Sequence, residues 1–291
     1  MTYLIIIYVQ EVKIEMKLMN PTISIIIPAL NEEVFLPKLL QNLVEQTSQD
    51  FEVIVVDAHS EDKTREKAEQ FTDKMNIRVT EADKRHLAYQ RNFGARQAKG
   101  EYLLFLDSDM KLEPGFINEL ISNIKNSKFL MYLPFHLPYD GTPPDEVLFR
   151  VISSFVEMSH LGQKPFTYGP GAVFQRYFFN ALGGYDEEVF VYEDHEIVQR
   201  AKQRGVSAKL LPQSKIYFSF RRFKKEGRIN VLSKYLVATM HLLVKGKVDK
   251  EIFTYEMGGS AKYLIDQQAD IDLAKEVKKY FEKLKAVLEE P

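Results

Sequence analysis

The chain has no cysteine and no tryptophan among its 291 residues. Without cysteine there can be no disulfide, no thiolate nucleophile and no cysteine-ligated zinc or iron–sulfur centre, a pattern that fits a cytoplasmic protein. Charge is nearly balanced. The 39 Lys and Arg against 41 Asp and Glu leave a net −2, so no overall field draws the molecule toward nucleic acid or anionic lipid. The apolar stretch Tyr3–Val9 has seven residues, whereas a bilayer crossing takes about 20. No basic segment precedes it, and Gln10, Glu11 and Lys13 follow where a signal peptide would carry small residues. It reads as an extra strand, or as sequence upstream of a start at Met16 or Met19. The Gly-x-Gly-x-x-Gly, Gly-x-x-x-x-Gly-Lys-Ser/Thr and His-Glu-x-x-His signatures are also missing, and the six histidines are scattered.

What is present is alternation. Apolar runs at Ile23–Ile27, Phe51–Val56, Ile77–Val79 and Tyr102–Leu106 predict strands. Helical spacing falls between them at Glu33–Gln46, Glu61–Met75 (with Ser60 as N-cap) and His86–Ala98. This rhythm predicts an α/β fold with a mostly parallel central sheet and helices on both faces. The second half is less regular. Strands are expected at Phe129–Leu133, Ala172–Phe174, Lys209–Leu211 and Ile216–Phe220, and helices at Asp145–His160 and Glu193–Gln203. From about Gly227 the pattern is helical to the end. The expected organisation is an extension at 1–20, one domain at 21–226 divided near 112 into two halves, and a helical tail at 227–291.

Ligands of open α/β sheets bind beyond the carboxyl ends of the strands. Three such ends carry polar groups: Pro28-Ala29-Leu30-Asn31-Glu32-Glu33, Asp57-Ala58-His59-Ser60 and Asp107-Ser108-Asp109. Two carboxylates one residue apart, just past a buried strand, are costly unless a cation uses them. Strand alternation would turn Asp107 and Asp109 to one side if the strand runs that far. Such hard oxygen donors suit Mg²⁺ or Mn²⁺, with phosphate oxygens completing the shell. The pattern points to a metal-bound phosphate ester, in first place a nucleotide.

Ser24–Glu33, Val53–Asp57, Arg91-Asn92-Phe93-Gly94-Ala95 and Phe105–Asp109 resemble, in order and spacing, the donor half of the inverting family-two glycosyltransferases. Gly183-Gly184-Tyr185-Asp186-Glu187 and Glu193-Asp194 resemble their acceptor half more loosely. The resemblance covers about Pro21 to Phe223. It implies a GT-A fold and a nucleotide-diphosphate sugar, a UDP- or GDP-sugar, as donor. It also implies a nucleotide site of Pro28, Ala29, Asn31, Glu32, Asp57, Ser60, Arg91, Asp107, Ser108 and Asp109. Asp57 would meet the nucleobase, Asp109 and Asp107 the Mn²⁺ or Mg²⁺, and Arg91 the nucleotide. Asp194 would be the general base, with Glu193 positioning it. Gly169 and Gly171 would shape a loop beside the acceptor. Arg221 and Arg222, in Arg221-Arg222-Phe223-Lys224-Lys225, would take the place of a Gln-x-x-Arg-Trp loop at the diphosphate, a partial match without tryptophan.

Each residue also has a plainer fit. Asp57 suits a strand-end turn, Arg91 a surface ion pair, Glu193 and Asp194 a helix N-terminus, and the basic run a solvated face. Rival functions are an aspartate-nucleophile phosphohydrolase, a sugar nucleotidyltransferase and a non-catalytic sugar-binding scaffold. The expected acceptor is a glycan or a lipid-linked molecule. The expected site of action is the cytoplasm, no nucleic acid being involved. Ile229–Val244 forms a wide apolar helical face, with Asn230, Lys234, His241 and Lys245 on one polar stripe. It would pack on the domain or on a second subunit of a homodimer, or lie with the 221–245 segment at the inner membrane face.

Overall fold

The structure, a computed structural model, describes residues 20–189, 191–227 and 231, 234, 235, 237–239, 241 and 242. Tyr3–Val9, Met16, Met19, Arg228 and most of the expected helical tail lie outside the described residues. In chain order the elements are β1 (Ile23–Ala29), α1 (Leu36–Val44), β2 (Phe51–Asp57), α2 (Thr64–Glu69), β3 (Ile77–Glu81), α3 (Leu87–Gln97), β4 (Tyr102–Phe105) and β5 (Met110–Leu112). They continue with α4 (Phe116–Ser127), β6 (Met131–Pro138), α5 (Pro143–Ser159), β7 (Val173–Gln175), α6 (Arg176–Leu182), α7 (Glu193–Gln203), β8 (Lys209–Phe218) and α8 (Arg221–Glu226).

The strands form one sheet in the order β3-β2-β1-β4-β7-β6-β8-β5. The first four are mutually parallel, as the alternation with helices predicts. Beyond β4 the sheet is mixed. β7 runs antiparallel to β4 and β6, β6 pairs parallel with β8, and β5 closes antiparallel on β8. Every residue of β1 and β2 is buried, which explains their largely apolar sequences; of the exceptions, Ser24 and Glu52 pair, the Ser24 hydroxyl donating to Glu52 at 2.6 Å. Ile23, Ile25 and Ile27 face α1 and α4, while Ile26, Ile54 and Leu103 face α3, α6 and α7. Gly94 lets α3 approach closely, because a Cβ there would stand 2.6 Å from Ile26 Cγ2.

Two expectations need correction. The helix expected over Glu61–Met75 is only α2, and Lys63, not Ser60, precedes it, because the Ser60 hydroxyl and amide both turn back to Asp57. The two strands expected at Lys209–Leu211 and Ile216–Phe220 are one, β8, which absorbs its polar middle in an irregularity opposite Pro134 and Phe135. Of the Ile229–Val244 segment, the described Val231, Val237, Ala238, His241 and Leu242 are buried, in keeping with packing on the protein. Among the described residues no helix is long and apolar enough to cross a membrane.

Candidate active site

The carboxyl ends of β1 and β4 open onto a cavity of about 510 Å³. Pro28, Ala29, Glu32, Asp107, Ser108 and Asp109 line one side of it. Glu193 and Asp194 face them from the N-terminus of α7, with Gly169, Arg221 and Arg222 on the remaining wall. Asn31, Asp57, Ser60 and Gly171 stand outside this lining.

β4 ends at Phe105, so Asp107 and Asp109 sit in a turn instead of on one strand face. The turn is tied down by the Ser108 hydroxyl, which donates to the Pro28 carbonyl at 3.0 Å. It sends the two carboxylates to different cations. Asp107 accepts from Arg91 at 3.0 Å and Asp109 pairs with Arg221 at 2.9 Å.

Arg91 is fully buried. It was expected to reach nucleotide or form a surface pair. It is no surface pair: it lines the cavity, and its guanidinium binds Asp107, Glu193 at 2.7 Å and Asp194 at 3.2 Å, above the Tyr185 ring. Burial alone would lower its pKa, but the carboxylates of Asp194, Asp107 and Glu193 outweigh that and hold it charged. The cluster has three carboxylates for one cation. Burial and the neighbouring Asp194 push Glu193 up to about 7, and burial likewise raises Asp194 against the pull of Arg91. Tyr185, quoted in the sequence motif without a role, donates its hydroxyl to Asp194 at 3.1 Å. Asn92 locks this motif to α3 by accepting from the Tyr185 amide and donating to the Tyr185 carbonyl, both at 2.9 Å.

Arg221 forms a second hub. Its fork meets both oxygens of Glu32, at 2.7 and 2.9 Å, and it lies over the Phe35 ring. Burial raises Glu32 and Asp109, and Arg221 partly offsets this. Among the described residues no three acids or histidines are grouped to hold a metal by themselves. Asp107 and Asp109 still fit Mg²⁺ or Mn²⁺ bound by one or two carboxylates with phosphate oxygens completing the shell. A cation already stands on Asp109 in the form of Arg221.

The remaining expected residues make supporting contacts. Asp57 accepts from the Ser60 amide and hydroxyl, and Ser60 accepts from the Asn31 amide at 2.8 Å. Gly171 takes a φ of +101° and its amide donates to the Phe105 carbonyl. A Cβ there would lie 2.7 Å from Ile216 and 2.9 Å from His136. His136 and His195 are driven down to about 4 and about 3 by burial, so both are neutral props. The His195 Nδ1 accepts from the Thr167 amide.

A model of the family described as "Glycosyl transferase family 2" matches residues 24–183. The poly(ribitol-phosphate) beta-N-acetylglucosaminyltransferase TarS of Staphylococcus aureus is 35% identical over 112 residues, covering 35% of this chain and 20% of the relative. An uncharacterized glycosyltransferase of Haemophilus influenzae is 35% identical over 111 residues, 38% of this chain and 37% of the relative. The chain therefore spans well under half the length of these curated relatives. Among solved structures, the mannosyltransferase PcManGT of Pyrobaculum calidifontis, in complex with GDP-Man and Mn²⁺, matches with a TM-score of 0.62 at 19% identity, over 94% of this chain and 76% of that one. S. aureus TarS 1-349 with UDP-GlcNAc matches at 0.58 and 20% identity, over 90% and 71%. The fold is thus that of GT-A glycosyltransferases.

Proposed function

The chain belongs to glycosyl transferase family 2, and within it we propose that the protein moves a sugar from a UDP- or GDP-sugar to an acceptor hydroxyl or lipid phosphate, with inversion. The observation that carries this reading is Arg91. One buried guanidinium ties Asp107, on the donor side, to Glu193 and Asp194, on the acceptor side. Such a junction would hold the carboxylates of the two sides at one reaction centre, as a transfer between two substrates requires them to be held together.

In this reading Asp194 takes the acceptor proton as the acceptor oxygen bonds to the anomeric carbon. The bond to the diphosphate oxygen breaks, and its electron pair leaves with the nucleoside diphosphate. Burial makes Asp194 a stronger base, Arg91 keeps it ionised, and the Tyr185 hydroxyl fixes one of its oxygens. A second reading exchanges the carboxylates, because Glu193 shares the cavity wall and is raised to about 7. Asp107 and Asp109 would hold Mn²⁺ or Mg²⁺, which when bound supplies positive charge against the leaving diphosphate. Arg221 and Arg222 suit the same phosphates, Arg221 once it leaves Glu32 and Asp109.

The test is nucleotide-sugar turnover across a panel of UDP- and GDP-sugars with Mn²⁺ or Mg²⁺. The expected result is release of UDP or GDP from one donor, lost with EDTA and in Asp109→Ala. Asp194→Asn should still bind nucleotide and fail to transfer. If no nucleotide binds in the presence of metal, the reading falls and a sugar-binding scaffold takes its place.

A further inference from the structure

Four described residues other than glycine take a positive φ, and three have an ordinary reason. Asn31 and His59 are of types that tolerate this region, and Lys128 ends α4, where a left-handed turn is common. Tyr192 has no such reason. It takes φ +69° and ψ +26° just before α7, where the residue that opens a helix ordinarily lies in the extended region. A bulky aromatic residue in this conformation stores strain that its surroundings must hold in place.

What holds it is the tail. The Tyr192 hydroxyl donates to the Tyr235 carbonyl at 2.9 Å, and the Thr239 hydroxyl, one helical turn further on, lies 3.2 Å away. The preceding residue, Val191, is buried in one apolar cluster with Leu242, Val156 and Phe166. The tail therefore grips the chain twice immediately before Glu193 and Asp194. The Tyr192 carbonyl in turn accepts from the amides of His195 and Glu196, both at 3.0 Å, and so starts the helix. Tyr192, Glu193, Asp194, Tyr235 and Thr239 all line the same cavity. A change of backbone angle at 192 would swing both carboxylates relative to Arg91, because they are the next two residues of the chain.

We propose that Tyr192 is a positioning residue. Its hydroxyl, held by the tail, keeps the backbone in the left-handed conformation that aims Glu193 and Asp194 into the cavity. The tail is thereby a working part of the active site. The consequence for turnover rests on the transfer reading above, in which one of these carboxylates takes the acceptor proton; the hold of the tail on α7 does not.

Tyr192→Phe in the full chain removes the hydroxyl alone and is read in two ways. Hydrogen exchange followed by mass spectrometry reports opening of the first turn of α7, where the His195 and Glu196 amides should exchange at least about tenfold faster than in wild type. Turnover is measured as UDP or GDP release from the sugar nucleotide that wild type accepts with Mn²⁺ or Mg²⁺. Here kcat should fall about tenfold to a hundredfold, the cost of a reacting group misplaced by about 1 Å, while KM for the donor, nucleotide binding and circular dichroism stay unchanged. Thr239→Val should move both readouts the same way and by less. Tyr192→Gly, which adopts the same backbone angles without strain, should be as slow as Tyr192→Phe. Unchanged exchange in Tyr192→Phe overturns the proposal. So does faster exchange with kcat intact, which makes the hydroxyl a fastener of the helix end alone. A parallel loss of kcat, nucleotide binding and circular dichroism overturns it too, by making the hydroxyl a folding contact, as does a Tyr192→Gly variant as fast as wild type. Failure of the transferase reading shows differently: wild type releases no UDP or GDP from any donor, and the exchange result still decides whether the tail holds α7.

Discussion

Replacing Glu193 with Gln should stabilise the protein at pH 8 and do so much less at pH 4. Around Arg91 three carboxylates share one cation, and Glu193 is pushed from an ordinary 4.5 to about 7 by burial and by Asp194. Unfolded, this side chain gives up its proton near 4.5; folded, it holds the proton until about 7. Its contribution to stability is therefore fully present at low pH and is lost as pH rises through that window. The displacement corresponds to a difference on the order of 3 kcal/mol. Gln keeps a donor and acceptor in place and removes the titration. Urea unfolding of wild type and Glu193→Gln at steps from pH 4 to 8 gives a difference curve in which groups remote from the cluster cancel. It should climb by roughly 3 kcal/mol between about pH 4.5 and 7 and flatten beyond. The apparent midpoint belongs to the Glu193–Asp194 pair and not to either residue alone. A flat curve, or one that favours wild type as pH rises, would refute the claim that this cluster holds excess negative charge.

Arg91→Met should destabilise by about 3–5 kcal/mol at pH 8, since it strands buried carboxylates, and by clearly less at pH 5, where Glu193 carries a proton. The same urea titration reads both values. Gly171→Ala should cost about 1–3 kcal/mol more than Gly169→Ala, because both need positive φ but only at Gly171 would a Cβ meet Ile216 and His136. Equal midpoints for the two would refute it. Arg221→Gln should bind Mn²⁺ at least about tenfold more tightly without nucleotide, as it frees Asp109 and Glu32 from their present cation. Paramagnetic resonance of free Mn²⁺ measures this, and unchanged affinity would exclude Arg221 as a competitor.

The strands of the first, parallel half were legible because a parallel strand buried on both faces leaves a mostly apolar run with no period, as in β1, β2 and β4. α7 has the bounds its spacing predicts. α4 was equally open to inspection, with Phe116, Ile117, Leu120, Ile121 and Ile124 on one buried stripe, and stands beyond the expected elements. The site was legible as a coincidence of polar strand ends, and its wiring was not. Nothing near Arg91 in sequence says that two of its partners lie about a hundred residues on, or that it is fully buried. The Asp107–Asp109 spacing suggested a shared face, and the turn that separates the two depends on where β5 pairs.

The placement of β5 also constrains how the protein is made. Asp107, Ser108 and Asp109 leave β4 in the middle of the sheet, and the next residues pair as Met110–Leu112 with Ile216–Phe218, at the far edge. A nascent chain that has just released Leu112 has every strand of the parallel half in hand and no partner for the one that anchors this loop. At about 5–20 residues per second, the partner arrives roughly 5–20 s later. Through that interval the growing polypeptide can hold a folded half-sheet with the Asp107–Asp109 loop not yet anchored, so on the proposed function nucleotide binding would arrive late in synthesis. A fragment ending near residue 112 should stay blind to UDP and GDP however well it folds.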